Sequence, residues 1–313
     1  MTAPSEYGVE SVPLFQTAWD STSMSWLQTC PRKYQYSKIF GLRSKEFAFP
    51  LQFGILFHSA TETFHKVFAE TEDFQASLRA AVRFCLDKGR VLDENQNPMK
   101  PQNERTRFTL TRAVIWYFDQ YENDPAKVVR LSNGKAAVEL SFRVPLPFKS
   151  NSSNELLWCG HIDELKLFHE EFYVSDKKTT KGSLSGDYFS GYGIDNQITG
   201  YLYGASVALP EAPTRSAIID GVEVKVGFNR FMRGFSHRTA FQIEEWLETI
   251  EYWILEAERY AERGYWPMNR TACNNYGGCA FRRVCGRDES VREIIIEDEY
   301  EVHPWNPLQT REA

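Results

Sequence analysis

Apolar and polar positions divide the chain into a helical first part and a strand-rich middle. Between residues 50 and 90 the run FGILFHSATETFHKVF repeats apolar residues every three or four positions, the period of a helix with one buried face. A second helix is expected where Leu110, Val114, Tyr117, Phe118 and Tyr121 fall on one face. Near Gly134 the period shortens. Val138, Leu140, Phe142 and Val144 alternate with Glu139, Ser141 and Arg143, which predicts a half-buried strand. Leu156–Phe168 and Glu171–Thr179 also read as strands, joined by a polar turn at His169-Glu170. A helix is predicted from Asp195 to Ala208 and a fourth strand over Ile218–Phe228. A long amphipathic helix then carries Ile243, Trp246, Leu247, Ile250, Trp253, Ile254 and Tyr260.

The flanks are less regular. Residues 1–22 read as a flexible leader, and the segment from Ser23 as a short capped helix that Pro31 ends or restarts after Cys30. Glu94–Thr106 is polar with two prolines and reads as a loop, and KGSLSGDYFSGYGI as a glycine- and serine-rich approach to the next helix. Residues 287–313 read as a peripheral strand and an acidic tail. The core then spans 23–286, helical over 23–130, strand-rich and carrying the candidate chemistry over 134–228, with a helix and a cysteine cluster over 239–286.

The chemistry concentrates in the predicted hairpin. Side chains alternate along a strand, so Asp176 and Lys178 share a face and Lys177 points away. A two-residue turn sets Asp163 opposite Asp176, whereas a slip of two residues sets it opposite Lys178. The turn lacks Asn-Gly chemistry, so its sequence alone does not fix the register. Two carboxylates and a lysine on one face call for a compensating cation, and hard oxygen ligands suit magnesium or manganese. The lysine can then orient a water for attack on phosphorus. For a lone D-x-K the plainer reading is a solvated hairpin.

Three ordered motifs go further: Gly160-x-x-Asp163, Asp176-x-Lys178-Thr179 and Gln197-x-x-x-Tyr201. Together they resemble the PD-(D/E)XK nuclease superfamily, in particular its RecB-like branch. The resemblance implies an α/β fold with an αβββαβ core. It implies Asp163 and Asp176 as metal ligands, Lys178 as a catalytic group, and Gln197 and Tyr201 as residues that position DNA. Gly54-x-x-x-His58 is similar to the branch's N-terminal motif, where the histidine ligates metal. His65 on the same helix reads as an ordinary packed or surface residue. Glu139 stands where the family often carries a glutamate, and a solvent-facing role fits it equally. In NRFMRGFSHR, Arg230, Arg233, His237 and Arg238 alternate with Phe231 and Phe235, which suits phosphates and stacked bases, or simply a solvated loop.

Six cysteines are present, and Cys273, Cys279 and Cys285 fall within thirteen residues. Three close thiols suggest a metal centre that needs a fourth ligand. Cys85 and Cys159 read as buried apolar residues. The iron–sulfur nucleases of this superfamily, such as the AddB nuclease domain and CRISPR-associated exonucleases, place one cysteine before the core and three after it. That resemblance implies Cys30 with Cys273, Cys279 and Cys285 around a structural [4Fe–4S] cluster. Both gaps in the trio are five residues, a departure from the commoner spacing, and four thiolates also suit zinc.

Composition adds limits. At 313 residues with 42% apolar and 25% charged content the chain is an ordinary globular protein with ample core. No apolar run approaches a membrane span and no secretory leader stands at the start, so a cytoplasmic location is expected (the host's, if the source is a phage). A net charge of −6 leaves room for a local basic groove. The expected activity is a metal-dependent DNA exonuclease, acting by resemblance on single-stranded ends in recombination, repair or phage DNA metabolism. Two alternatives remain at this point: a nuclease subunit active only with helicase, recombination or CRISPR-adaptation partners, and a non-catalytic DNA-binding module. No P-loop is present, so any motor is a separate chain.

Overall fold

The computed structural model describes residues 15–45, 49–89, 105–275 and 278–309. These pack as two compact units. One draws on residues 49–89, 105–142 and 161–239, the other on 15–45, 143–160 and 240–309.

In the first unit the alternating stretches form strands β5 (Glu155–Phe168), β6 (Glu171–Thr180), β7 (Ser216–Val224) and β8 (Asn229–His237), adjacent in that order. Strands β3 (Lys127–Val128) and β4 (Val138–Lys149) pair with β5, and β4 and β5 run on into the second unit. The β5–β6 and β7–β8 pairs are antiparallel, while β6 and β7 run parallel. A parallel pair needs a crossover, supplied by α6 (Gly186–Ser190) and α7 (Asn196–Ala208). Val222 and Val224 pack on a core shared with α3 (Phe49–Thr71), α4 (Phe74–Lys88) and α5 (Arg107–Gln120). Helix α7 approaches closely where Gly204 meets the ring of Phe142, since a Cβ there would lie 2.1 Å from it. The result is a mixed α/β fold built on a central mixed sheet.

The β5–β6 register is Glu164↔Ser175 through Phe168↔Glu171, the two-residue turn that places Asp163 and Asp176 at the next position. His169 and Glu170 hold it with φ of 47° and 65°. Both lie in the left-handed region that favours asparagine and glycine, so the register is kept by the strands and not by the turn.

What holds the strands is charge as well as apolar packing. Glu164, Lys166, Lys177 and Asp220 are all at most 2% exposed. Lys177 pairs with Glu164, and Lys166 bridges Glu164 at 3.2 Å and Asp220 at 3.1 Å. Arg233 pairs with Asp220, grips Asp124 through two 2.6 Å bonds, and lies 4.1 Å over the ring of Tyr121. The Tyr117 hydroxyl donates to Asp220 at 2.9 Å, and His65 reaches Glu164 at 2.9 Å. Burial alone raises a carboxyl pKa, but Lys177 and Lys166 hold Glu164 well below the usual range. Lys166 and Arg233 likewise outweigh burial and hold Asp220 low.

In the second unit β1 (Ala18–Trp19) pairs in parallel with β5 at Leu157 and Trp158. Helix α1 (Ser21–Thr29) is capped by Asp20, and Pro31 opens α2 (Pro31–Tyr34) directly after Cys30. A wider π turn, Gln35–Ile39, continues it toward β2 (Leu42–Ser44). Trp246 of α8 (Ala240–Glu262) meets Trp158 edge to face at 5.0 Å, and Glu258 accepts the Asn151 and Ser152 amides. After the short α9 (Arg282–Cys285), α10 (Glu289–Glu299) leads into β9 (Tyr300–Val302), which pairs with β2.

Three expectations are corrected here. Residues 18–22, assigned to the leader, form β1 and the start of α1, because Trp19 is fully buried against Tyr34. The IIIEDE stretch is helical, since the Asp288 side chain caps α10, and only Tyr300–Val302 is strand. The basic aromatic segment after β7 is β8, paired along its length. The predicted leader up to residue 14 and the predicted loop up to residue 104 lie outside the described residues.

Two predictions follow from these elements. Replacing His169-Glu170 by Asn-Gly relieves two left-handed residues and should raise stability by roughly 1–2 kcal/mol in urea unfolding; no gain would mean that the turn is unstrained. Asp220→Ala takes from the buried Lys166 and Arg233 the carboxylate they share and should cost about 3–5 kcal/mol at neutral pH. Glu164 and Asp220 have folded pKa values below their unfolded ones, so their stabilisation is complete above about pH 4 and is lost as pH falls below it. Circular dichroism from pH 7 downward should show wild-type unfolding set in below about pH 4 and a flatter profile for Asp220→Ala.

Candidate active site

Asp163 lies near the middle of β5, 8% exposed. Its Oδ2 accepts the Lys177 amide at 2.9 Å and meets Nδ1 of His58, from α3, at 3.0 Å. Glu139 joins them through the backbone. The predicted alternation of β4 holds from Leu140 to Val144, but Glu139 has φ of 49° and is 6% exposed instead of facing solvent. This left-handed residue near the strand's start turns the carboxylate inward, a strain typical of functional positions. Ligand atoms of His58, Glu139 and Asp163 all lie within 4.8 Å of one another, the one such group among the described residues.

Asp176 is 1% exposed and carries the second half of the site. Lys178 Nζ contacts its Oδ2 at 2.8 Å and its Oδ1 at 3.1 Å, but Oδ2 has no aligned hydrogen bond. Lys178 Nζ also donates to Gln197 Oε1 at 2.6 Å, and Gln197 Nε2 donates to the Tyr201 hydroxyl at 2.9 Å. Gln197 and Tyr201 sit one turn apart on α7, which Asp195 caps by accepting the Ile198 amide. Gln197 therefore reaches Lys178 directly, and Tyr201 reaches it through Gln197.

The charges are unequal. Burial raises the Asp163 pKa, yet His58 and Lys177 bring it down to about 2. Burial dominates at Asp176, and with the repulsion of Asp163 it outweighs Lys178 and leaves that pKa raised. Burial disfavours protonated His58, but Asp163 and Asp176 lift its pKa above the ordinary value. Burial likewise opposes charge on Lys178, and Asp176 more than restores it. Tyr201 is held neutral, first by burial and then by the nearby Asp176 and Asp163. An acidic site that ionises one carboxylate fully and the next reluctantly is short of positive charge. Hard oxygens and one imidazole suit a divalent cation there.

The remaining expected residues divide. Arg230 is exposed, 3.8 Å from Glu223. Arg233, expected beside it facing a ligand, is instead committed to Asp124 and Asp220 within the unit. Arg238 is 2% exposed and bonds Thr199, Ser236 and the Tyr192 carbonyl. His65 serves the buried ion network and not the acidic site. In the second unit Cys30 is buried, and its sulfur accepts the Asn269 amide at 3.3 Å. Burial pushes the Cys285 thiol up to about 11, with Cys279 and Cys30 adding to the rise, so these three thiols lie within electrostatic reach. Cys85 and Cys159 are buried, as expected.

Sequence reasoning missed the commitment of Lys177, Glu164, Lys166 and Asp220 to one network. The available signal was charge at alternate positions of otherwise apolar strands, Glu164 and Lys166 on β5 above all.

Residues 21–286 match the PD-(D/E)XK nuclease superfamily. The fold is similar to the crystal structure of a "Putative exonuclease" from Eubacterium rectale, with 13% identity, a TM-score of 0.51, and 94% of this chain and 98% of that one covered. The crystal structure of SSO0001 also aligns, at 11% identity and a TM-score of 0.36, with 89% of each chain covered. No curated protein matches the chain in sequence. Motif order, site geometry and family match agree, and the chain belongs to the PD-(D/E)XK nuclease superfamily.

Proposed function

We propose that this protein is a divalent-metal-dependent deoxyribonuclease that hydrolyses phosphodiester bonds from DNA ends, preferring single-stranded ones, in DNA recombination, repair or phage DNA metabolism. The observation that carries the reading is the meeting of His58, Glu139 and Asp163 beside the linked set Asp176, Lys178, Gln197 and Tyr201. The buried Asp176 Oδ2 without an aligned hydrogen bond fits a cation ligand. His58, Glu139, Asp163 and Asp176 would hold magnesium or manganese, which when bound supplies Lewis acidity and lowers the pKa of water.

The chain's own groups then divide the work. Lys178 stays protonated, and its ammonium, fixed by Asp176 and Gln197, orients the attacking water and stabilises charge on the phosphate. Tyr201 is a neutral hydroxyl, so with Gln197 it holds Lys178 and the strand without adding negative charge. Exposed Arg230 contacts backbone phosphates.

We further propose that Cys30, Cys273, Cys279 and Cys285 hold a structural metal centre, a [4Fe–4S] cluster or alternatively zinc, as in the iron–sulfur RecB-like nucleases. The rise that Cys279 and Cys30 add at Cys285, and the Asn269 amide on Cys30, support it. Metal would favour the Cys285 thiolate, which burial otherwise disfavours, and would tie α2 to the segment after α8.

End-labelled single- and double-stranded DNA should be cut by anaerobically purified protein with manganese or magnesium and not with EDTA. Asp176→Ala and Lys178→Ala should each lower the rate by roughly a thousandfold or more while melting as wild type does. Normal cleavage by either variant overturns the site, and folded, metal-loaded protein that cuts nothing points to a partner-dependent subunit or a binding module. Metal analysis tests the cysteines: Cys30→Ser should lose the bound iron or zinc and speed proteolysis of the N-terminal segment, whereas unchanged metal content rules Cys30 out.

A further inference from the structure

Residues 181–195, between β6 and α7, are rich in glycine and serine, a composition that predicts little order. The fold nevertheless fastens this segment at three places. The Leu184 amide donates to Glu223 at 3.2 Å. The Phe189 ring lies in a slot that only glycine permits, since a Cβ would come within 2.9 Å of it at Gly221 and 2.3 Å at Gly234. The Tyr192 carbonyl accepts from Arg238 at 2.7 Å and from Ser236 at 3.1 Å. Ser185 also caps α6 by accepting the Tyr188 amide.

The slot is beside the acidic site. Gly221 pairs with Lys178, and Gly234 pairs with Ile219, itself the partner of Asp176. By strand spacing the slot lies about 5 to 10 Å from the reacting side chains, on their face of the sheet. The segment carries Tyr188 and Tyr192, both half-buried, with rings 5.8 Å apart at 62°. The Tyr192 hydroxyl donates to that of Tyr188 at 3.3 Å, and the charge of Asp176 reaches it. Lys181 is exposed at the start of the segment, and Lys225 donates to its carbonyl. Two ordered, partly open aromatic rings between a basic edge and a phosphate-cleaving site are the parts of a single-strand binding surface.

We propose that Tyr188 and Tyr192 form a stacking platform for an unpaired nucleobase, seating the nucleotide beside the scissile phosphate. This rests on the nuclease reading and deepens it. A base stacked on tyrosine must leave its own helix, so the platform selects unpaired DNA ends over duplex. Stacking accepts any base, so the selection is by strandedness and not by sequence. Phe189, Arg238 and Glu223 hold the platform, which lowers the ordering needed when DNA arrives.

The probe is a single-stranded oligonucleotide with 2-aminopurine at one terminus, prepared in both orientations and titrated in EDTA. Wild-type protein should quench one probe. Tyr192→Ala should weaken its binding by about tenfold and abolish quenching, while Tyr192→Phe, which keeps the ring, should restore both. In cleavage assays Tyr192→Ala should raise KM for single strands by about tenfold with kcat little changed, and Tyr188→Ala should act in the same direction. Unchanged quenching and KM in folded Tyr192→Ala protein, or equal loss in Tyr192→Phe, overturns the platform. Retained cleavage by Asp176→Ala overturns the nuclease site instead, and quenching read without metal keeps the two failures apart.

Discussion

Strand β6 is buried on both faces, and adjacent side chains of a strand must point to opposite ones. Everything at the site depends on how this chain satisfies that constraint. Asp176 and Lys178 look toward α7, where Gln197 and Tyr201 receive them. Lys177, between them in sequence, looks the other way and is paired with Glu164. Its backbone amide meanwhile donates to Asp163. A single residue thus fixes β6 from behind and one carboxylate from in front. Loss of the rear network would disturb the acidic site even though none of its side chains faces it.

The second unit meets a different constraint with the same economy of contacts. Its first and last described segments are joined by short-range bonds: Arg32 to the Trp266 and Pro267 carbonyls, Asn269 to Thr29 and Cys30, and β2 to β9. These bonds bring Cys30 to the neighbourhood of the C-terminal trio without a cross-link. The aromatic stack of Trp19 on Tyr34, with Trp266 against Tyr34, shields this junction from water.

Much of this was legible in the sequence where local periodicity decides the outcome. The α3 pattern and the helix bearing Gln197 and Tyr201 follow from spacing and cap residues, while the hairpin register, one of two that the spacing allowed, is set by strand pairing. Where long-range packing decides, the sequence was silent or misleading. Arg233 lies in a run that reads as a basic surface, but Asp124 and Asp220, distant in sequence, claim its charge. Glu139 alternates as a solvent-facing residue should, and only its left-handed backbone shows that it turns inward. The leader's Trp19 gained order from Tyr34, a contact that no local pattern encodes.

The hairpin also bears on the order in which the chain folds. Asp163 and Asp176 stand on strands joined by a two-residue turn, so bringing them together needs little loop entropy. His58 lies about a hundred residues earlier in the chain, on α3. The repulsion is therefore local and is offset in part within the hairpin, by Lys177 at Asp163 and Lys178 at Asp176, while His58 is distant. Docking of α3 brings His58 to Asp163 and so completes the charge relief that the hairpin's own lysines begin.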